Sequence, residues 1–250
     1  MDASLQLALI AGTIFFLAGT VKGVTGMGLP TVAMGLLGTL LSPVAAAALL
    51  IVPSFVTNVW QLFAGLSLSP VVLRLWPMMA AIALGTIGGS SLIAGSRLPG
   101  SAATSALGGI LALYALTTLL LRAPPVPRAM ERWLSPLAGL VTGIVTGATG
   151  IFVIPAVPYL QSLALDRDDL VQALGLSFTV STVALAAGLA WHGALDAGNL
   201  GTSALAVVPA LAGMWAGQSI RARIEPAAFR RWFLICLLAL GAEMLLRPIF

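Results

Sequence analysis

The chain has one cysteine, Cys236, one histidine, His192, and one lysine, Lys22, in 250 residues. A lone cysteine excludes an intrachain disulfide and a cysteine-based metal site, and a lone histidine excludes a multi-histidine metal centre within one chain. Charge is scarce as well. Asp, Glu, Lys and Arg make up 8% of the sequence and apolar residues 59%, about a third of the charge of an ordinary soluble domain. The sequence contains no Gly-x-Ser-x-Gly elbow, His-Glu-x-x-His pair or Gly-x-x-x-x-Gly-Lys-Ser loop, so nothing marks a hydrolase, a zinc protease or an ATP-driven pump. No spacing supports a Ser–His pair built on His192. The chain is therefore read as a non-enzyme without a cofactor. Its start, Met1-Asp2-Ala3-Ser4, lacks the basic stretch of a signal peptide, so the first apolar segment is expected to be retained.

What the chain does have is apolar runs, several of them long enough to cross a hydrocarbon core of ~30 Å. They fall at 5–21, 31–41, 43–65, 71–94 and 102–121, then at 134–145, 151–163, 170–191, 200–220 and 229–246. A polar, proline-rich connection, Arg122-Ala-Pro-Pro-Val-Pro-Arg-Ala-Met-Glu-Arg132, separates the two sets. The organisation expected is a first transmembrane repeat over 1–121, a cytoplasmic linker over 122–133 and a second transmembrane repeat over 134–250. The pI of about 10.2 does not point to nucleic acid, because the arginines stand singly or in small groups at the ends of apolar runs.

Two stretches interrupt the apolar pattern and resemble each other: Leu17-Ala-Gly-Thr-Val-Lys-Gly-Val-Thr-Gly-Met-Gly-Leu-Pro30 and Leu137-Ala-Gly-Leu-Val-Thr-Gly-Ile-Val-Thr-Gly-Ala-Thr-Gly150. Each has Leu-Ala-Gly, a glycine four residues on, a Thr-Gly pair and a final glycine. Further matches follow in order: Ser54, Phe55 and Asn58 with Ser177, Phe178 and Ser181; Ala64-Gly65 with Ala187-Gly188; Gly85 and Gly89 with Gly213 and Gly217; Arg97-Leu98 with Arg223-Ile224. A duplicated chain is the preferred reading. A continuous helix over 5–41 would run about 55 Å, too long for one crossing, so each broken pair is expected to be a hairpin. Each half is then a broken, re-entrant hairpin plus three spanning helices, and the odd number of crossings inverts the second half. The fold class expected is all-α, a polytopic transmembrane protein with two inverted repeats.

Loop charge gives an orientation. With hairpins, Arg74, Arg122, Arg128, Arg132, Arg167, Arg221, Arg223, Arg230 and Arg231 fall on one side, and Arg97 and Arg247 on the other. The richer side is expected to be cytoplasmic, which leaves both termini non-cytoplasmic.

Unwound backbone survives in a membrane only against protein or a polar cavity, and paired breaks in two halves point to a transporter's substrate site. Gly23, Gly26, Gly28, Gly143, Gly147 and Gly150 allow backbone angles that other residues resist. A helix restarting after a break, near Pro30 or Pro155, turns free N–H groups and partial positive charge toward the gap, which suits an anion. Thr25, Thr142, Thr146 and Thr149 add hydroxyl donors. Lys22 has two readings: it faces the gap and attracts an anion, or it snorkels to an interface. The place aligned with it in the second half is Thr142. On the helix after the first break, Ser54, Asn58 and Gln61 share one face, and the second half offers Ser177, Ser181 and Thr182. Such a stripe either lines a cavity or bonds neighbouring helices together.

Other polar residues have simpler readings. Trp60 and Trp191 suit an interfacial belt. His192 suits a helix-end cap, Glu243 a pair with Arg247, and Asp166 to Asp169 a helix start.

The residues of the two breaks resemble the TauE/SafE family of sulfite-exporter-like membrane proteins. The resemblance rests on Gly19, Gly23, Gly26, Gly28 and Pro30, on Gly139, Gly143, Gly147, Gly150 and Pro155, and on the polar turn His192-Gly193 with Asp196 and Asn199. Where family members often carry a denser glycine run, this chain has Leu29 and Ile151. The resemblance implies secondary transport of a small sulfur-containing anion, such as sulfite or an organosulfonate. The function expected is an exporter of such an anion in the bacterial inner membrane, working by alternating access between the paired breaks with coupling to a proton or ion gradient. The partners implied are that anion and the lipid bilayer, and not nucleic acid. The substrate-binding set expected is Lys22, Thr25, Gly26, Gly28, Ser54, Asn58, Gln61, Thr142, Thr146, Gly147, Gly150, Ser177 and Ser181, with no metal. The rival readings are a passive anion channel and a membrane assembly subunit that transports nothing.

Overall fold

The computed structural model describes residues 3–64, 68–94, 100–120, 124–195, 197–221 and 223–246. Gly65, Arg97, Leu98, Arg122, Asp196 and Arg247, used above, lie outside them. Among the described residues there is no strand, and the all-α expectation holds. The helices are α1 (Ala3–Thr25), α2 (Leu29–Leu37), α3 (Pro43–Leu62), α4 (Leu68–Ala94), α5 (Gly100–Leu120), α6 (Arg128–Thr149), α7 (Ala156–Ser162), α8 (Arg167–Trp191), α9 (Ala197–Leu205), α10 (Val207–Arg221) and α11 (Pro226–Leu246). Six stretches, in α1, α3, α4, α5, α8 and the α9–α10 pair, are long and apolar enough to cross a membrane. Trp60, Trp76, Trp133, Trp191, Trp215 and Trp232 all lie on the outer surface. Water would disfavour so much exposed aromatic surface, whereas a membrane interface welcomes it. The protein is a multi-pass membrane protein.

The sequence predicts one continuous segment over 200–220, but the structure divides it at Ala206. Pro209 explains the division: it has no N–H for the Leu205 carbonyl, and its ring crowds that carbonyl.

The described chain forms two compact units, and each draws on both sequence halves. The first comprises residues 1–53, 98–119 and 197–250, the second residues 54–97 and 120–196. The boundary runs through α3, immediately after Pro53.

In the first unit, α1 packs along α10, and α2 returns against α1 and α11. The α1–α10 seam is made of glycine. A Cβ built on Gly19 or Gly23 would strike the backbone oxygen of Ala210 or Met214; one on Gly213 or Gly217 would strike that of Phe16 or Thr20. Small residues let backbones approach closely in lipid, where burying apolar surface gives no driving force between helices. Elsewhere in this unit, Pro53 interrupts α3 and leaves the Leu49 carbonyl without its helical donor. Ser203 of α9 fills the gap. Its hydroxyl donates to the Leu49 oxygen at 2.7 Å and accepts the Val52 N–H at 3.0 Å. Ser203→Ala is expected to lower the thermal stability of the detergent-purified protein, because a part-buried carbonyl and a part-buried N–H lose this partner, a loss of about 1 kcal/mol. Adding Pro53→Ala should recover most of that, since the helix can then close its own bonds.

In the second unit, α4 packs along α6 and α8. The α4–α6 seam repeats the same construction: Gly143 and Gly147 press on the oxygens of Ile82 and Thr86, and Gly85 and Gly89 on those of Leu140 and Ile144. The chain turns back after α6. Ser135 and Tyr159 share a hydroxyl–hydroxyl hydrogen bond at 2.6 Å, and the Val126 N–H reaches the Ser162 oxygen at 2.9 Å. The second broken pair is thus a hairpin. At its mouth Arg74 forms a bidentate pair with Glu131, at 2.8 and 2.6 Å, and also donates to the Leu163 carbonyl. Arg74 therefore shares one end of this unit with the start of α6, where Arg128 and Arg132 lie.

Candidate functional site

Both breaks are built alike. α1 and α6 each end in a threonine followed by a left-handed glycine: Thr25-Gly26, with φ 78° at Gly26, and Thr149-Gly150, with φ 71° at Gly150. Such a φ costs an L side chain about 1–2 kcal/mol, so glycine stands there for its backbone. The Gly26 N–H bonds the Lys22 oxygen and the Gly150 N–H the Thr146 oxygen, both at 2.7 Å. The Thr25 hydroxyl lies 2.9 Å from the Val21 oxygen and accepts the Met27 N–H; the Thr149 hydroxyl lies 2.6 Å from the Val145 oxygen and accepts the Ile151 N–H.

These bonds set a register between the two breaks that differs from the one read off the sequence. The shared Leu-Ala-Gly pairs Gly19 with Gly139. The helix ends pair Gly26 with Gly150, and the seams agree: Gly19 plays the part of Gly143, and Gly23 that of Gly147. The counterpart of Lys22 is Thr146, not Thr142. A slip of four residues is about one helical turn. It returns the glycines to the same face, so the pattern alone does not reveal it.

The glycines also divide into two kinds. Gly26, Gly28 (φ 98°) and Gly150 have left-handed backbones. Gly23, Gly143 and Gly147 are helical and belong to the packing seams.

The threonines, expected as donors, have spent their protons. Thr142 donates to the Ala138 oxygen at 2.7 Å, and Thr146 lies 2.7 Å from the Thr142 oxygen and 3.1 Å from that of Ile151. Thr25 also lies 2.8 Å from the Met27 oxygen. A hydroxyl has one proton, and here each is directed at a carbonyl. These side chains brace the helix ends and offer a ligand only lone pairs.

Lys22 lies in the last turn of α1 and is 3% exposed. Its side chain turns into the protein and does not reach out along a lipid-facing surface. In the second unit, Ser54, Asn58 and Gln61 are buried on α3, as are Ser177, Ser181 and Thr182 on α8. Asn58 Nδ2 donates to Thr182 Oγ1 at 3.3 Å. Gln61 donates to the Val171 oxygen, and Gln172 of α8 donates to that of Leu62, each at 3.2 Å. The polar stripe therefore does bond α3 to α8. Ser54, Ser177 and Ser181 have no partner among the described residues, so their protons are available. Phe152 of the second break packs on Phe178, next to Ser177, with ring centroids 6.5 Å apart.

Two buried hydroxyls missed in the sequence also lack a partner, those of Thr31 and Thr86. Thr31 could have been found, because it sits in the first turn after a break. Nothing in the pattern distinguishes Thr86. The His192 ring lies 2.8 Å from the Gly188 oxygen at the end of α8, a capping position.

Comparison with known proteins bears on the whole chain. A family model described as sulfite exporter TauE/SafE matches residues 11–244. A protein of Cupriavidus necator named "Probable sulfite/organosulfonate exporter TauE" is 28% identical over 252 aligned positions, covering 98% of this chain and 94% of that protein. No solved structure matches the chain.

Proposed function

The chain belongs to the sulfite exporter TauE/SafE family, and from that membership we propose that it is a secondary transporter that exports a small sulfur-containing anion, sulfite or an organosulfonate, across the bacterial inner membrane. The observation that carries this reading is the first break, where a buried lysine stands one turn ahead of two left-handed glycines and a restarting helix. Fixed backbone N–H groups and a cation at such a place favour negative charge, and inside a membrane an ionisable side chain is costly enough to mark a pathway. Within the first unit, the donors assigned to the substrate are Lys22 and the backbone beside Gly26 and Gly28. Thr25, Thr142, Thr146, Gly147 and Gly150 are assigned to holding the breaks in shape, and Asn58 and Gln61 to bonding α3 to α8.

We assign the chain an inverted repeat with non-cytoplasmic termini, alternating access and coupling to a proton or ion gradient. The matched seams and matched helix ends support duplication, and the gathering of Arg74, Arg128 and Arg132 at one end of the second unit supports the orientation.

The test is counterflow in proteoliposomes. Vesicles loaded with unlabelled sulfite should transiently accumulate radiolabelled sulfite from outside above equilibrium. Equilibration without overshoot would identify a channel, and no protein-dependent flux for sulfite, taurine or sulfoacetate would identify a subunit that transports nothing.

A further inference from the structure

We propose that Thr31 is a substrate-binding residue, and that the anionic head of the substrate is held on the first turn of α2 by the Thr31 hydroxyl. The inference rests on the transport reading above and names the group that recognises the substrate's oxygen atoms.

Four observations converge on this turn. α2 follows Gly28 with no side-chain cap, so the leading N–H groups of Leu29 and Thr31 have no capping partner at the end where the helix dipole is positive. Thr31 is wholly buried, and its hydroxyl has no hydrogen-bond partner among the described residues. A Cα–Cβ bond leans toward the amino end of its helix, so the Thr31 side chain leaves the backbone on the side of the break. Ahead of the turn, a Cβ added to Gly26 would meet no atom within 4 Å, so the backbone just before α2 is loosely packed. Finally, the same unit buries Lys22 in the last turn before the break.

A buried hydroxyl without a partner is costly, and every threonine of the breaks described above has its proton directed at a carbonyl. Thr31 is the exception, and a bound oxyanion supplies the missing acceptor. The second break has no equivalent. The first turn of α7 reads Ala156-Val157-Pro158, and Ile151, Phe152 and Val153 before it are buried and apolar. The two breaks are therefore unequal, and the one carrying Lys22 and Thr31 takes the anion.

The experiment compares wild type, Thr31→Val, Thr31→Ser and Thr117→Val by thermal shift with sodium sulfite against sodium chloride at equal ionic strength. Thr117 bonds its own helix on α5 and serves as a control. Valine keeps the shape of threonine and removes the orphaned hydroxyl. Thr31→Val should melt no lower than wild type without ligand, and should need about tenfold more sulfite, or beyond, for the same shift, as loss of a hydrogen bond to a charged group predicts. Thr31→Ser should respond nearly as wild type does, and so should Thr117→Val. A wild type that responds to sulfite together with a Thr31→Val variant that responds equally would overturn the assignment of Thr31 and leave the transport reading standing. A Thr31→Val variant that melts lower without ligand and keeps its sulfite response would assign the hydroxyl to structure. A wild type that ignores sulfite in both thermal shift and counterflow would overturn the sulfite reading and the assignment of Thr31 together.

Discussion

Gly143→Val is expected to leave almost no folded protein in the membrane. A Cβ at Gly143 would strike the Ile82 carbonyl and would lie 2.8 Å from the Thr86 nitrogen and 2.9 Å from the Gly85 Cα. These are backbone atoms on a facing helix, so no rotamer change relieves them. α4 and α6 must separate, and the seam formed by Gly85, Gly89, Gly139, Gly143 and Gly147 opens along its length. Overpacking costs about 1–3 kcal/mol where side chains can yield, and more where two backbones must part. In lipid nothing compensates, since helix association depends on that close fit. Gly12→Ala is the contrasting case. A Cβ at Gly12 meets nothing within 4 Å, and alanine favours a helix over glycine by about 1 kcal/mol. Size-exclusion yield of a fluorescent fusion in detergent should fall by about tenfold or more for Gly143→Val, taking tenfold per 1.4 kcal/mol, and should hold or rise for Gly12→Ala. Equal yields would mean that the glycine seam does not hold the second unit together.

Periodicity and run length made the helices legible, because a membrane demands long apolar segments and leaves few other choices. The glycines were legible as a set but not in their separate roles. Gly147 and Gly150 look alike in sequence, yet one is helical and presses on α4 while the other turns the chain. Composition does not carry φ. The register between the breaks escaped for a geometric reason: a slip of one turn preserves a helical face, and only the contacts of Gly19 and Gly143 with their partner helices separate the two alignments. Hydroxyl function escaped because a threonine's formula does not say where its proton goes. Thr146 faces a carbonyl one turn back, whereas Thr31, in a first turn, has no such carbonyl behind it. Lys22 was legible in identity and ambiguous in direction, and its burial speaks against a snorkelling side chain.

Lys22→Met should cut sulfite export sharply at low sulfite while sparing the fold. Methionine fills nearly the same volume with an unbranched apolar chain, and a buried site tolerates it well, so the folded yield should match wild type. What disappears is the ammonium group of the chain's only lysine. The Thr25 proton is directed at a carbonyl, and the Thr31 hydroxyl, though unpartnered, carries no charge to replace it. Losing a hydrogen bond between charged partners costs about 1.5–3 kcal/mol, which is roughly 10- to 150-fold in affinity, and flux at sulfite concentrations near or below the wild-type half-saturation point should fall by a similar factor. Lys22→Arg keeps the charge on a broader, planar group and should retain part of the flux with a higher half-saturation concentration. The measurement is initial sulfite flux in proteoliposomes reconstituted with equal amounts of each protein. If Lys22→Met carried sulfite at the wild-type rate, the lysine would be a structural tie within its unit, and recognition of the anion would have to rest on hydroxyls and backbone alone.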